Sequence, residues 1–251
     1  VTPLEGLAVV AAGVFAGGIN TVVGSGTLVT FPVLLAVGYS PVVANVSNGL
    51  GLVLGSVSGA IGYRDELHGQ RARLIRLSSA TCLGAIVGAI LLLTLPADAF
   101  EAVVPVLIVI ALVLVIVQPF LAKKLAARET ERHPHGGVLL WLAVFATGVY
   151  GGYFGAAQGV ILVAFMAILM DEGLQRINAA KNVLAALANL VSGLIYAFAA
   201  DVAWLAVLLL AVGSVVGGQI GAKVGKKLSP TVLRGVIVVV GVAAIVQLLV
   251  R

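Results

Sequence analysis

Charge is scarce in this chain. Asp, Glu, Lys and Arg make up 10% of its 251 residues, against roughly 25% in a soluble domain. With 61% hydrophobic residues and a mean hydropathy of +1.18, the composition is that of an integral membrane protein. Cysteine is nearly missing: Cys82 is the single one, which excludes an intramolecular disulfide and a Cys-rich metal site. Histidine occurs three times, at His68, His133 and His135. All three lie between apolar segments, so no buried base is expected to activate a serine and no metal site is expected in the spans. Aromatic residues are 6%. Glu5 and Glu101 stand at the ends of their apolar segments and no carboxylate lies deeper in one, so a cation site at that depth has no ligand. The N-terminal residues lack a basic stretch, with Glu5 standing where one would be, so a cleaved signal peptide is not expected.

What the chain has in plenty is apolar runs of spanning length, on the order of 20 residues each. Ten segments are read, at about 4–22, 26–38, 42–62, 74–95, 101–121, 138–154, 159–170, 177–199, 202–222 and 232–250. Two of them, 26–38 and 159–170, offer only ~18–20 Å of helix against a hydrocarbon core of ~30 Å. Each follows a Gly-rich break, Gly24–Gly26 or Gly155–Gly159. They are predicted to be broken or re-entrant helices, since irregular backbone at that depth survives only beside a polar cavity or inside protein.

The formal charge is +5 and the pI about 9.6, but the basic residues sit in short loops, as the positive-inside rule produces. Nucleic-acid binding is therefore not expected. Arg64, Arg71, Arg73 and Arg76 lie in loop 64–76, Lys123, Lys124, Arg128 and Arg132 in 123–135, and Lys223, Lys226 and Lys227 in 223–227. These three loops are placed in the cytoplasm and both termini outside, with Asp98, Glu101 and Asp201 in outer loops.

The two halves resemble each other. Gly13-Val14, Gly17 and Gly18 match Gly148-Val149, Gly151 and Gly152; Ser47–Tyr63 aligns with Lys181–Ala197; Gly84 and Gly88 match Gly213 and Gly217. Loop charge changes sign between equivalent loops. An odd number of crossings per half then gives an inverted-topology repeat, the architecture of secondary transporters. The expected organisation is a first transmembrane repeat over 1–122, a basic cytoplasmic linker over 123–137 and a second, inverted repeat over 138–251. The fold class is an all-α polytopic membrane protein in which each repeat has a broken helix pair followed by three transmembrane helices.

A lysine within such a span costs at least ~2.5–3.5 kcal/mol near the bilayer centre, so it tends to be functional. Lys181 stands with Asn178, Asn182 and Asn189 at spacings of three, four and seven, which places them on one helix face. That face is predicted to line the bundle interior. In the first half, Asn20, Ser25, Asn45, Ser47 and Asn48 hold comparable positions, and Gln158 stands at the second break. The two breaks, at Gly24, Ser25 and Gly26 and at Gln158 and Gly159, supply backbone N–H groups and positive helix ends. One lysine, several neutral donors and no carboxylate suit a small anion. A competing reading has Lys181 snorkel to the surface as an anchor. Ser and Thr side chains are open to bonding carbonyls one turn back. Gly84, Gly88, Gly213, Gly217 and Gly221 read as close helix packing, and Trp141, Trp204, Tyr39, Tyr63 and Tyr196 as interfacial anchors. The Gly-Ser-Gly turn follows no strand, so it is no nucleotide fingerprint.

Residues Gly13–Leu67 resemble the first-half signature of the TauE/SafE family of sulfite exporters: paired glycines, the Gly-x-Gly break, Phe31-Pro32, Ala44-Asn45, and a Ser-Gly before an Arg-bearing loop. "GVYGGYFGAAQGVILVAF" and "AAKNVLAALANLVSGLIYAF" resemble the second-half signature. The second break departs from the family's usual glycine run, having Ala156-Ala157-Gln158, and no proline matches Pro32. The resemblance implies a secondary transporter, an exporter, of sulfite or small organosulfur anions such as sulfonates across the inner membrane. It implies no enzymatic activity and no cofactor, with coupling to an ion gradient for which a proton is the candidate. Lys181 would be the main anion contact, with Asn48 and Asn182 as symmetry-related donors. The chain would work as a monomer or a homodimer in the bilayer. A transporter of another small anion such as a carboxylate, an uncoupled anion channel and a retinal-type photoreceptor with a Schiff base on Lys181 are the alternatives. The missing intramembrane counter-ion argues against the last.

Overall fold

The structure, a computed structural model, describes residues 2–126 and 137–224. Among these residues it is all helix: α1 (Pro3–Val22), α2 (Thr27–Ala36), α3 (Pro41–Gly62), a short 3-10 turn (Arg64–Leu67), α4 (Arg71–Thr94), α5 (Ala97–Ala126), α6 (Gly137–Tyr153), α7 (Gln158–Leu169), α8 (Leu174–Ala199) and α9 (Trp204–Val224). The segment expected at 232–250, Lys226, Lys227 and most of the linker with Arg128 and Arg132 lie outside the described residues. Residues 123–126, assigned to the linker by hydropathy, continue α5.

Among the described residues, six helices are long and apolar enough to cross a membrane: α1, α3, α4, α5, α8 and α9. The ends follow local chemistry. At α1, Thr2 caps the Glu5 N–H while the Glu5 carboxylate takes the Thr2 N–H at 2.7 Å, with Pro3 in the first turn. Glu5 thus works as a helix cap. α3 begins on Pro41, a position whose N–H has no intrahelical partner anyway. α2 and α7 have 10 and 12 residues, about 15 and 18 Å of helix, too short to cross.

The main packing partners cross the sequence. α1 lies along α9, and α4 along α6; α3 packs on α8 and α9, and α4 on α8. Small residues make the close approaches. A Cβ built on Gly13 would stand 2.9 Å from the Leu210 carbonyl oxygen, and Gly17 meets Ser214 and Gly218. Gly84 and Gly88 meet Phe145, Gly148, Val149 and Gly152 of α6, while Gly213, Gly217 and Gly221 meet α1 backbone from Val10 to Gly18. These glycines pack helices, as read. Close backbone approach substitutes for a hydrophobic drive that lipid does not provide.

Two aromatic anchors were misplaced by the sequence. Tyr63 and Tyr196 are 2% and 3% exposed. Tyr63 packs on Ala179 and Ala222, and the Tyr196 hydroxyl donates to the Gly152 carbonyl. A phenol whose hydroxyl finds an internal acceptor has no need of the interface. Trp204 stays 59% exposed at the start of α9.

Candidate functional site

The first break begins where α1 runs out of residues that can continue it. Val23 and Gly24 both direct their N–H to the Ile19 carbonyl, at 2.7 and 3.1 Å, and Gly24 takes φ +88°. That left-handed step is cheap only for glycine. It leaves the Asn20 and Thr21 carbonyls at the negative end of the helix without helical partners. α8 supplies them. Lys181 Nζ donates to Asn20 O at 2.8 Å and to Thr21 O at 3.0 Å. Asn178 and Asn182 direct their Nδ2 groups to the same Thr21 carbonyl, at 3.1 and 3.3 Å.

Lys181 is wholly buried, 0% exposed, and so does not snorkel. It stands seven residues into α8, about 10 Å from the helix start. Its stem passes Gly159, where a Cβ would lie 2.9 Å from Lys181 Cδ. The helical spacing read in the sequence therefore brings Lys181, Asn178 and Asn182 onto one target. Three donors crowd one carbonyl that has two lone pairs. The cluster has N–H groups to spare, one buried lysine and, among the described residues, no carboxylate.

The second break uses the same backbone turn. Phe154 and Gly155 both donate to the Tyr150 carbonyl, at 2.9 and 3.0 Å, with Gly155 at φ +77°. Its carbonyls are met by neutral groups: Asn45 Nδ2 reaches Tyr153 O at 2.9 Å, the Tyr196 hydroxyl reaches Gly152 O, and the Tyr150 hydroxyl reaches Ala156 O at 2.6 Å. Ala157, before α7, takes φ +58° without being glycine. The two breaks touch. Gly159 N–H donates to Gly24 O at 3.0 Å, and a Cβ on Gly159 would stand 2.5 Å from Gly24 Cα.

Around this crossing the predicted residues divide. Ser25 and Gln158 flank it, 1% and 3% exposed, and neither Ser25 Oγ nor Gln158 Nε2 has a hydrogen-bond partner among the described residues. Gln158 folds over Gly151, where no side chain fits. Gly26 opens α2, where Asn48 Nδ2 donates to Thr27 Oγ1 at 3.1 Å and the Thr30 hydroxyl donates to Asn48 Oδ1. Asn20 Nδ2 donates to Ser56 Oγ at 2.9 Å, joining α1 to α3. Asn45 belongs to the second break's cap. Ser47 stands apart, accepting the Ala203 N–H at 2.9 Å.

An ion cluster escaped the sequence reading. Glu172, between α7 and α8, takes Arg73 Nη1 at 2.7 Å and Arg176 Nε at 2.8 Å, with side chains 16%, 9% and 33% exposed. Gln70 adds bonds to Arg176 O (3.1 Å) and from Arg73 Nη1 (3.1 Å). Burial acts to raise the Glu172 carboxyl, but hydrogen bonds from Arg73, Arg176 and the Gly173 N–H outweigh it and hold it below the usual carboxylate range. Arg176 four residues after Glu172 was legible; Arg73, 99 residues away, was not.

The family model described as "Sulfite exporter TauE/SafE" matches residues 9–248. The chain is similar to the probable membrane transporter protein YfcA of Escherichia coli K12, 26% identical over 240 residues that cover 93% of this chain and 86% of that one. It is 24% identical over 237 residues to the probable membrane transporter protein ORF9 of a Sinorhizobium species, covering 93% and 88%. A probable membrane transporter protein of Haemophilus influenzae is 25% identical over 234 residues, covering 90% and 88%. No solved structure matches the chain.

Proposed function

The chain belongs to the sulfite exporter TauE/SafE family of membrane transporters, and from that premise we propose that it is a secondary transporter, an exporter, of sulfite or small organosulfur anions across the inner membrane. The observation that carries the reading is the donor surplus at the end of α1. Lys181, Asn178 and Asn182 converge on the Asn20 and Thr21 carbonyls, all three buried, with no carboxylate beside them among the described residues. An anion arriving there gains charge-assisted hydrogen bonds. Asn182, whose 3.3 Å bond is the longest of the set, is the donor most readily turned toward it. Across the crossing, Ser25 Oγ and Gln158 Nε2 are the buried polar atoms whose hydrogen bonds the substrate would complete. Asn48 holds the start of α2, whose positive end favours the same charge.

Alternating access between two inverted repeats is the proposed cycle. The pairing of α1 with α9 and of α4 with α6 supports it, because each joins the opening helix of one half to the fourth of the other. With the basic loops in the cytoplasm, the Arg73–Glu172–Arg176 cluster joins the halves at that face and is the contact that opens for exchange there. A proton crosses on the substrate itself, sulfite being basic enough to carry one near neutral pH.

The test is uptake of radiolabelled sulfite into proteoliposomes, with unlabelled sulfonates and carboxylates as competitors. Saturable uptake inhibited by sulfonates and abolished by Lys181→Ala in a folded protein supports the reading. Inhibition by carboxylates alone moves the substrate to that class, and uptake that neither saturates nor follows a gradient makes the protein a channel. Full uptake by Lys181→Ala removes Lys181 from the site.

A further inference from the structure

On the outer face of α3, near the end that carries the basic loop 64–76, two hollows adjoin. One is a furrow of about 330 Å³ between α3 and α8, walled by Val57, Ala60, Ile61, Val183, Ala186 and Leu190 among others, with Arg64 at its mouth. Apart from Arg64 its wall is apolar side chains. Beside it lies a hollow of about 460 Å³ between the end of α3 and the end of α9, bordered by Ile61, Gly62, Arg64, Asp65, Gln219, Ala222 and Lys223. Ile61 and Arg64 belong to both. Ile61 is 55% exposed, the Arg64 side chain is 76% exposed, and Lys223 is exposed. The Arg64 contact to Asp65, at 3.7 Å, is long and solvated, leaving the guanidinium available. Gln219 is already engaged, donating to Ser58 O and Ser58 Oγ at 2.9 Å.

The pair of hollows has the chemistry of one amphipathic molecule. An apolar channel along Val183–Leu190, about 10 Å of helix, ends at the level where the chain turns polar. There, two cations face one carboxylate. We propose that they form a single site for an anionic phospholipid, with one acyl chain in the α3–α8 furrow and the headgroup phosphate between Arg64 and Lys223. Basic pockets at helix ends recognise such headgroups, and a bidentate guanidinium is matched to phosphate. Val183 and Ala186 follow Lys181 and Asn182 on α8, so the bound chain lies against the helix whose Lys181, Asn178 and Asn182 clamp the end of α1. The proposal does not depend on what the protein transports.

Native mass spectrometry of the detergent-purified chain tests it, with phosphatidylglycerol against phosphatidylcholine as probes. Two basic contacts at about 2 kcal/mol together give an expected preference of about thirtyfold for phosphatidylglycerol. The double variant Arg64→Gln/Lys223→Gln, both exposed positions, should keep its lipid-free Tm and bring the two lipids to near parity. Ala60→Trp, which fills the furrow and leaves both cations, should weaken both lipids together. Excess inorganic phosphate should not displace the lipid. Equal binding of the two lipids by the wild type, a preference that survives the double variant, or displacement by phosphate would overturn the proposal. So would cross-linking in nanodiscs that places a second copy of the chain in the furrow.

Discussion

At Gly24 and at Gly155 the chain performs the same backbone manoeuvre: two successive N–H groups share one carbonyl, a glycine turns left-handed, and a short helix starts afresh. What meets the abandoned carbonyls differs. At the first break an ammonium and two amides from α8 meet Asn20 and Thr21; at the second, an amide and two phenols meet Gly152, Tyr153 and Ala156. Backbone geometry is shared while charge is confined to one side. The break is thus a scaffold that tolerates different chemistry, and the proposal that the crossing takes an anion rests on the placement of one lysine.

The strongest way to break the comparison is to disturb the backbone that both sides share. Gly24→Ala places a Cβ into Gly159 and forces a non-glycine into φ +88°. Left-handed strain of about 1–2 kcal/mol and overpacking of about 1–3 kcal/mol add up to a protein that does not accumulate folded. Gly38→Ala, at φ +103° but in open space, carries the conformational cost alone and should remain folded, as monodispersity in detergent would show. If the two variants behave alike, the contact between the breaks is unimportant.

Next comes the charge itself. Lys181→Met should weaken sulfite binding by roughly 10–150-fold, the equivalent of a charged hydrogen bond of ~1.5–3 kcal/mol. Tyr196→Phe removes a neutral cap from the other break and should lower stability by about 1–2 kcal/mol while leaving the KM for sulfite unchanged. Equal KM shifts in both variants would erase the distinction between the breaks.

The Glu172 cluster pins the start of α8, and with it the charged cap. Glu172→Gln should lose about 2 kcal/mol at pH 7. Because the folded carboxyl titrates lower than in the unfolded chain, this contribution is complete above the ordinary carboxylate value. It disappears as pH falls through the lowered one. The Tm difference between wild type and variant should accordingly close on acidification, and a gap that is constant with pH would contradict the ionic account. The smallest effect is expected at Ala157. Glycine there relieves the left-handed strain that the second break tolerates, so Ala157→Gly should raise stability by up to about 1 kcal/mol in a denaturation series.

Helix boundaries were legible because hydropathy and glycine breaks report them directly: α2 and α7 lie within a residue or two of the expected 26–38 and 159–170. α8 begins earlier than the expected 177, at Leu174, because Gln175 and Arg176 are polar yet helical. The common face of Asn178, Lys181 and Asn182 followed from spacing. Their partners did not, since the carbonyls of Asn20 and Thr21 leave no mark in a sequence and lie some 160 residues away. Tyr63 and Tyr196 show the same limit. A tyrosine near a span end reads identically whether it faces lipid or core.

The α1 clamp also bears on how the chain is made. Thr21 leaves the ribosome about 157 residues ahead of Asn178, the first of its three side-chain donors. At ~5–20 residues per second, that is roughly 8–30 s of synthesis. Throughout that interval the end of α1 holds bare carbonyls that hydrocarbon cannot solvate. The end of α1 therefore gains its final caps only after α8 has been made. Until then, water or other transient donors must stand in for Lys181, Asn178 and Asn182.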